Sequence, residues 1–262
     1  MKIGISTASL FLKTETENAF ETLQNLGVNT TEVFLSTYFE YGKQFITDLA
    51  KGQNGINVHS VHALPTQFEP QLFSRQHRVR ADAEKIFEDV LTAGQILGAK
   101  YYTFHGPGAS SKSPSLINMN TFSDRMNELC CIAEKYGITL CYENVHYCMY
   151  KKPDFFKELS ANCLKLGMCL DIKHAQFSGY DPLDYLDVAG DRLHTVHVTD
   201  LLPNEKTALP GMGDYDFGKL FKNIQMRGLD PAILIEVYDK DFVSFDELGR
   251  SCDYLKNVLK NI

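Results

Sequence analysis

Short runs rich in β-branched and aromatic residues alternate with longer segments of helical period about eight times along this chain, and that repeat restricts the fold more than any other feature. Strands are expected at residues 2–6, 31–34, 57–62, 100–105, 139–144, 167–171, 193–199 and 232–236, each followed by a helical segment. The clearest helix is expected over 76–97, where Val79, Ala83, Ile86, Val90, Ala93 and Leu97 recur at spacings of three and four. Gly98 ends it, and Gly27, Gly137 and Gly228 stand at the same place before the second, fifth and eighth strands, as left-handed helix caps would. Eight β/α units within 262 residues predict a single-domain α/β protein, a (β/α)8 TIM barrel over residues 1–262. A doubly wound sheet would need a phosphate-binding fingerprint near its start. The one Gly-rich stretch, Pro210-Gly211-Met212-Gly213, follows the seventh strand instead.

Composition narrows the function classes. With 33 acidic against 26 basic side chains and a net charge of −7, the chain has the wrong sign for neutralising many phosphates, so no nucleic-acid partner is expected. No apolar run approaches the roughly 18 residues of a membrane span, and the opening Met1-Lys2-Ile3-Gly4-Ile5-Ser6 leads into charged residues rather than a signal sequence; no membrane contact and a cytoplasmic location are expected. Seven cysteines, odd in number and without a C-x-x-C pair, predict reduced thiols.

In such a barrel, chemistry sits at the C-terminal ends of the strands. The last inward positions of strands three to eight are His62, His105, Glu143, Asp171, His197 and Glu236, six ionisable residues converging on one mouth. Two residues earlier stand Ser60, Thr103, Cys141, Cys169, Thr195 and Leu234, small or apolar, a floor beneath a polar rim. Burying three carboxylates together costs several kcal/mol unless a cation offsets their charge, which implies a metal. Glu143, Asp171, His197 and Glu236 form a mostly hard, oxygen-rich set suited to one divalent ion, Mn²⁺ or Co²⁺ first, Zn²⁺ or Mg²⁺ after them. A metal holding a carbonyl and its neighbouring hydroxyl stabilises an enediolate, and Glu143 and Glu236 are the natural pair to remove and return the proton.

The motifs Val61-His62-Ala63, Phe104-His105-Gly106-Pro107-Gly108, Tyr142-Glu143-Asn144, Cys169-Leu170-Asp171-Ile172-Lys173-His174, His197-Val198-Thr199-Asp200, the segment from Pro210 to Phe217, and Ile235-Glu236-Val237 resemble, in order, the xylose isomerase-like TIM-barrel superfamily. That group includes sugar phosphate isomerases and epimerases, ketose 3-epimerases, hydroxypyruvate isomerase, inosose dehydratase and endonuclease IV. The most specific element is Asp171-x-x-His174 placed between Glu143 and His197. The resemblance to the ketose epimerases implies that Glu143, Asp171, His197 and Glu236 bind the metal, that Glu143 and Glu236 exchange protons, and that His174 touches substrate hydroxyls. His62 and His105 are assigned to the substrate side of the same rim; in the endonuclease branch their positions bind extra zinc ions.

Two departures stand out. The substrate-binding arginine of the epimerases has no counterpart in 198–209. The Asp-x-His of the nuclease pattern reads Glu205-Lys206-Thr207, which argues for one metal rather than three. The expected function is therefore a metal-dependent isomerase or epimerase of a small sugar or polyol. The alternatives are a lyase dehydrating an inosose or dehydroshikimate, an endonuclease IV-like repair enzyme, and a non-catalytic sugar-binding barrel. A homo-oligomer is compatible with the sequence. Among the other polar residues, strand alternation puts His59 and His194 on the opposite face from His62 and His197, packing against helices. His77, on a charged helix, and Lys173, at a strand end, are expected in solvent, with a phosphate contact as the alternative for Lys173. His146 follows the fifth strand within reach of the mouth. Loops 6–13, 64–74 and 201–209 are expected to select the substrate.

Overall fold

In the computed structural model, which describes residues 1–64, 68–109, 118–204 and 206–262, eight parallel strands close into a barrel. They are β1 (Lys2–Ser6), β2 (Thr30–Leu35), β3 (Asn57–Ala63), β4 (Tyr101–Phe104), β5 (Thr139–Glu143), β6 (Gly167–Asp171), β7 (Leu193–Val198) and β10 (Ala232–Ile235), each paired with its chain neighbours, with β10 returning to β1. Between β7 and β10 lies a two-stranded antiparallel hairpin, β8 (Asp200–Leu201) with β9 (Thr207–Ala208). The helices are α1 (Ala19–Asn25), α2 (Lys43–Lys51), α3 (His77–Leu97), α4 (Met119–Glu134), α5 (Pro153–Asn162), α6 (Ile172–Phe177), α7 (Pro182–Ala189), α8 (Phe217–Met226) and α9 (Phe245–Lys260). The expected (β/α)8 barrel is the observed one. Four strands stop one residue short of expectation, at Phe104, Glu143, Val198 and Ile235, so that His105, Asn144, Thr199 and Glu236 are the first residues after them.

The long helix follows its sequence period. Ala83, Val90, Ala93 and Leu97 are buried on the barrel side, joined by Phe87 and Leu91, and Gly98 closes the helix in the left-handed conformation. Gly27, Gly137 and Gly228 share that backbone sign, as expected of caps.

Two histidines depart from strict alternation. The register between β2 and β3 jumps from Thr31 opposite Val58 to Glu32 opposite Ser60, which makes His59 an extra residue; between β6 and β7, Met168 pairs with Leu193 and Cys169 with Thr195, which makes His194 another. Such bulges reverse the facing of the residue they insert. Instead of packing against helices, His59 reaches across the barrel to place Nε2 3.0 Å from Thr195 Oγ1 and 3.1 Å from the His194 carbonyl. Tyr101 stacks against both rings, with centroids 4.6 Å from each. Gly167 makes room: a Cβ there would lie 2.7 Å from His194 Cδ2 and 2.8 Å from Cys141 Sγ. The N-terminal end of the barrel is thus plugged by three rings, below the polar mouth.

Loops at the C-terminal end are tied down by buried carboxylates. Asp200 accepts N–H groups from Gly211 (3.0 Å), Gly213 (2.9 Å) and Tyr215 (3.2 Å), so the Gly-rich stretch cradles a side chain of its own protein. A Cβ on Gly213 would fall 2.5 Å from Asp200 Oδ1. Glu69, fully buried, accepts from the Tyr102 hydroxyl (2.6 Å) and from the N–H groups of His105 and Gly106 (2.8 Å each), which fixes the turn after β4. Burial pushes Glu69 up to about 7, the nearby His105 and the three donors acting against it. A Glu69→Ala variant should lose about 3 kcal/mol in urea unfolding, because three buried donors lose their acceptor, whereas Glu69→Gln should lose about 1 kcal/mol. The pH dependence separates them. A carboxyl raised in the folded state keeps a proton that the unfolded chain releases, so its contribution to stability declines as pH rises from 4.5 to about 7. That slope should flatten in Glu69→Gln; an unchanged slope would assign it to other groups.

Candidate functional site

The six rim residues meet at the C-terminal mouth. Glu143 ends β5, Asp171 ends β6, His197 lies near the end of β7 and Glu236 follows β10; one ligand atom from each of the four falls within 4.8 Å of the others. His197 Nδ1 is 2.9 Å from Glu143 Oε1 and 3.2 Å from Glu236 Oε2. Asp171 gives the Asp-x-x-His spacing its geometry here. It is the N-cap of α6, and its Oδ1 accepts the His174 N–H at 2.7 Å, which leaves Oδ2 facing the site. Asn144 locks the neighbouring strand ends together, giving its amide to the Asp171 carbonyl and accepting the Asp171 N–H, both at 2.8 Å.

Glu32, on β2, is a buried fifth member that strand-by-strand reading from β3 onward passes over. Its carboxylate accepts from Ser6 (3.1 Å), Ser60 (2.7 Å) and Thr103 (2.5 Å), and its Oε1 lies 3.1 Å from His197 Nε2. The floor residues Ser60 and Thr103 are therefore its hydrogen-bond donors. Burial raises the Glu32 carboxyl, but the charge and contact of His197, the charge of His62 and the Thr103 hydroxyl together outweigh it and bring it down to about 2. The acidic residue in Thr30-Thr31-Glu32-Val33-Phe34 is the only sequence signal for it. Glu32 holds the far nitrogen of the imidazole, so that Nδ1 presents to the carboxylates.

His62 and His105 lie beside this group, with ring centroids 4.7 Å apart. His62 Nδ1 is 3.1 Å from the Thr103 carbonyl, to which it donates, and His105 Nε2 is 2.5 Å from Glu143 Oε2. His62, His105 and Glu143 make a second possible metal-ligand group that shares Glu143 with the first. His174 pairs with His146, the two Nδ1 atoms 2.7 Å apart, so one ring donates to the other. His146 thus belongs to the mouth, where Tyr147 and Phe177 pack around the pair with ring centroids 4.9 and 5.5 Å from His146.

Lys173 reverses its expected place in solvent. Its side chain is 3% exposed, with Nζ 3.5 Å from Asp171 Oδ2 and 4.8 Å from the centre of the Tyr238 ring. Burial works against its charge, yet Asp171 and then Glu236 outweigh it and hold the ammonium above the usual lysine range. The two rim glutamates differ. For Glu143 burial is outweighed by His105 and His197, which hold it well below the usual range, whereas burial takes Glu236 up to about 7, His197 opposing and Glu143 assisting.

A divalent cation suits this donor set. Asp171 Oδ2 and Glu236 Oε2 are buried and form no hydrogen bond among the described residues, and they face the same space as His197 Nδ1. Mostly oxygen donors with one imidazole match a hard or borderline ion.

A family model described as xylose isomerase-like TIM barrel matches residues 20–258. The chain belongs to that family. The barrel superposes on an IOLI protein carrying a bound zinc atom (TM-score 0.80, 19% identity, 100% of this chain and 99% of the other) and on a D-psicose 3-epimerase solved in the presence of D-fructose (0.81, 15%, 99% and 99%). It also superposes on a 3-keto-D-glucoside 4-epimerase from E. coli (0.79, 17%, 98% and 99%). At these identities the likeness concerns the fold. In sequence, the chain is 28% identical over 144 residues to a probable endonuclease 4 of Methanosphaera stadtmanae, a match spanning 49% of this chain and about half of that protein, 51%. For this xylose isomerase-like barrel, the group under His197 is the part most open to a simple test. Glu32→Gln keeps the shape but removes the charge, and Mn²⁺ affinity, read by calorimetric titration, should weaken by about 10- to 100-fold with the fold intact. An unchanged affinity would make Glu32 a packing residue.

Proposed function

We propose that this protein is a metal-dependent isomerase or epimerase of a small sugar or polyol. The observation that carries the reading is the Glu143, Asp171, His197 and Glu236 group at the barrel mouth, with its two glutamates on strands separated by β6 and β7. A ligand lying over β6 and β7 is flanked by a carboxylate on either side. Glu143, Asp171, His197 and Glu236 would hold a divalent cation, which would supply an electrophile to polarise a substrate carbonyl. Glu143, kept ionised by its two histidines, removes a proton from the carbon beside the carbonyl, and Glu236, on the other side, delivers one. His62 Nε2, left free by the Thr103 contact, and His174 face substrate hydroxyls. Sugar epimerases among the structural neighbours support an enzyme of this kind.

Exhaustive chelation should abolish turnover of a true substrate and lower the melting temperature, and Mn²⁺ or Co²⁺ should restore both. In D₂O the wild-type protein should place deuterium at the carbon beside the carbonyl. Glu143→Gln and Glu236→Gln should each lose about 10³-fold or more in kcat while keeping an oxygen ligand, and one of them should still exchange substrate deuterium, because a single base serves the first half-reaction. Product without solvent deuterium, from variants that remain active, would refute the two-carboxylate scheme. Loss of water in the product would assign the lyase reading instead.

A second reading, phosphodiester cleavage at an abasic site, is favoured by the His62, His105 and Glu143 group and by the relative named as a probable endonuclease 4. The net charge of −7 and Thr207 in place of a histidine oppose it; Glu205, in the same segment, lies outside the described residues. No nicking of an abasic duplex is expected with excess Zn²⁺ at low salt. Single-turnover cleavage that vanishes in Glu143→Gln would promote the nuclease.

A further inference from the structure

Lys173 sits where a helix residue would ordinarily turn outward, two positions after Asp171, yet its ammonium is buried at the mouth. Its three N–H donors make no hydrogen bond among the described residues: the Asp171 Oδ2 contact, at 3.5 Å, is an ion-pair distance, and Tyr238 offers only the face of its ring. A mostly buried lysine whose ammonium has unused donors at the mouth can turn them to a ligand that enters there. Asp171 does not take them up. Its Oδ2 is also the atom that takes part in the four-residue ligand group, so a cation there draws the same oxygen away from Lys173.

We infer that Lys173 donates a hydrogen bond to the substrate oxygen that gains negative charge beside the cation, which makes it a further catalytic residue of the mouth. The inference rests on the isomerase reading above. A fixed positive charge in a buried site stabilises a developing oxyanion more than the neutral ground state, so Lys173 should act on the charged intermediate and leave neutral polyol binding nearly untouched. The Tyr238 ring centre lies 4.8 Å from the ammonium, and Lys240 lies 5.2 Å from that same ring, which adds no acceptor. A lysine that served only as a counter-ion of Asp171 would behave differently, since its removal would change cation affinity and stability but not the choice between a neutral and an anionic ligand.

The test uses the full chain loaded with Mn²⁺ and calorimetric titration of two probes, glycerol as the neutral polyol and glycolohydroxamate as a planar bidentate anion of enediolate size. In Lys173→Met, Mn²⁺ should bind at least as tightly as in wild type, glycerol within about threefold, and glycolohydroxamate about 30-fold more weakly. Lys173→Arg should recover part of the loss, and kcat on a true substrate should fall in Lys173→Met with KM nearly unchanged. If Lys173→Met does not fold by circular dichroism, Lys173→Gln is read in its place with the same expectations. Glycolohydroxamate binding within threefold of wild type in the neutral variant would overturn the inference while leaving the metal site standing. Wild-type protein that takes up neither Mn²⁺ nor glycolohydroxamate would overturn the isomerase reading and Lys173 with it.

Discussion

Four carboxylates, Glu32, Glu143, Asp171 and Glu236, surround one imidazole, His197, inside the mouth of the barrel. Placing that much negative charge out of water is unfavourable unless each oxygen has a donor or a cation, and the surrounding structure meets that requirement piece by piece. Three hydroxyls serve Glu32, the His174 N–H in the first turn of α6 serves one oxygen of Asp171, and His105 and His197 serve Glu143. What is left without a hydrogen bond among the described residues, Asp171 Oδ2, Glu236 Oε2 and Glu143 Oε2 with its His105 ion pair, marks the space for a cation.

The rest of the fold keeps these groups in place. Asn144 couples the ends of β5 and β6 through two hydrogen bonds, and Ser9 bridges the Ile235 carbonyl and the Val237 N–H on either side of Glu236. Glu69 and Asp200 do for the loops after β4 and β7 what hydrogen-bond ladders do for strands, each gathering several backbone N–H groups on one buried carboxylate. Rigid strand ends with loops anchored this way give a mouth whose ligand atoms are held before a substrate arrives, which limits the reorganisation that chemistry would otherwise require.

The chain belongs to the xylose isomerase-like TIM barrel family, and further side chains stand around the four-residue group at its mouth. A lysine follows Asp171 by two positions and is buried against Tyr238; a second imidazole, His146, pairs with His174; and Tyr147, Phe177 and Tyr238 stand partly exposed around them. No arginine follows the seventh-strand histidine in 198–209. The combination sets positive charge beside flat apolar ring surface at the rim, and the small sugar or polyol of the proposed function would meet both.

Periodicity alone determined the barrel, because eight alternations of period two and period 3.6 leave few other ways to bury both kinds of face. It also determined six members of the mouth: strand alternation puts the last inward residue of each strand at the same end, and His62, His105, Glu143, Asp171, His197 and Glu236 are found there. What alternation could not supply was the register between strands. His59 and His194 turn inward only because a bulge in one strand is measured against its neighbour, so their facing is a property of a pair and not of either segment. Glu32 is one acidic residue in an otherwise ordinary strand until His197, 165 positions later in the chain, is brought to 3.1 Å from it. Lys173 is a polar residue on a short helix until Tyr238 covers it. Tertiary structure decided these four residues, since charge, facing and burial at each depend on atoms that are remote in sequence and adjacent only after the barrel closes.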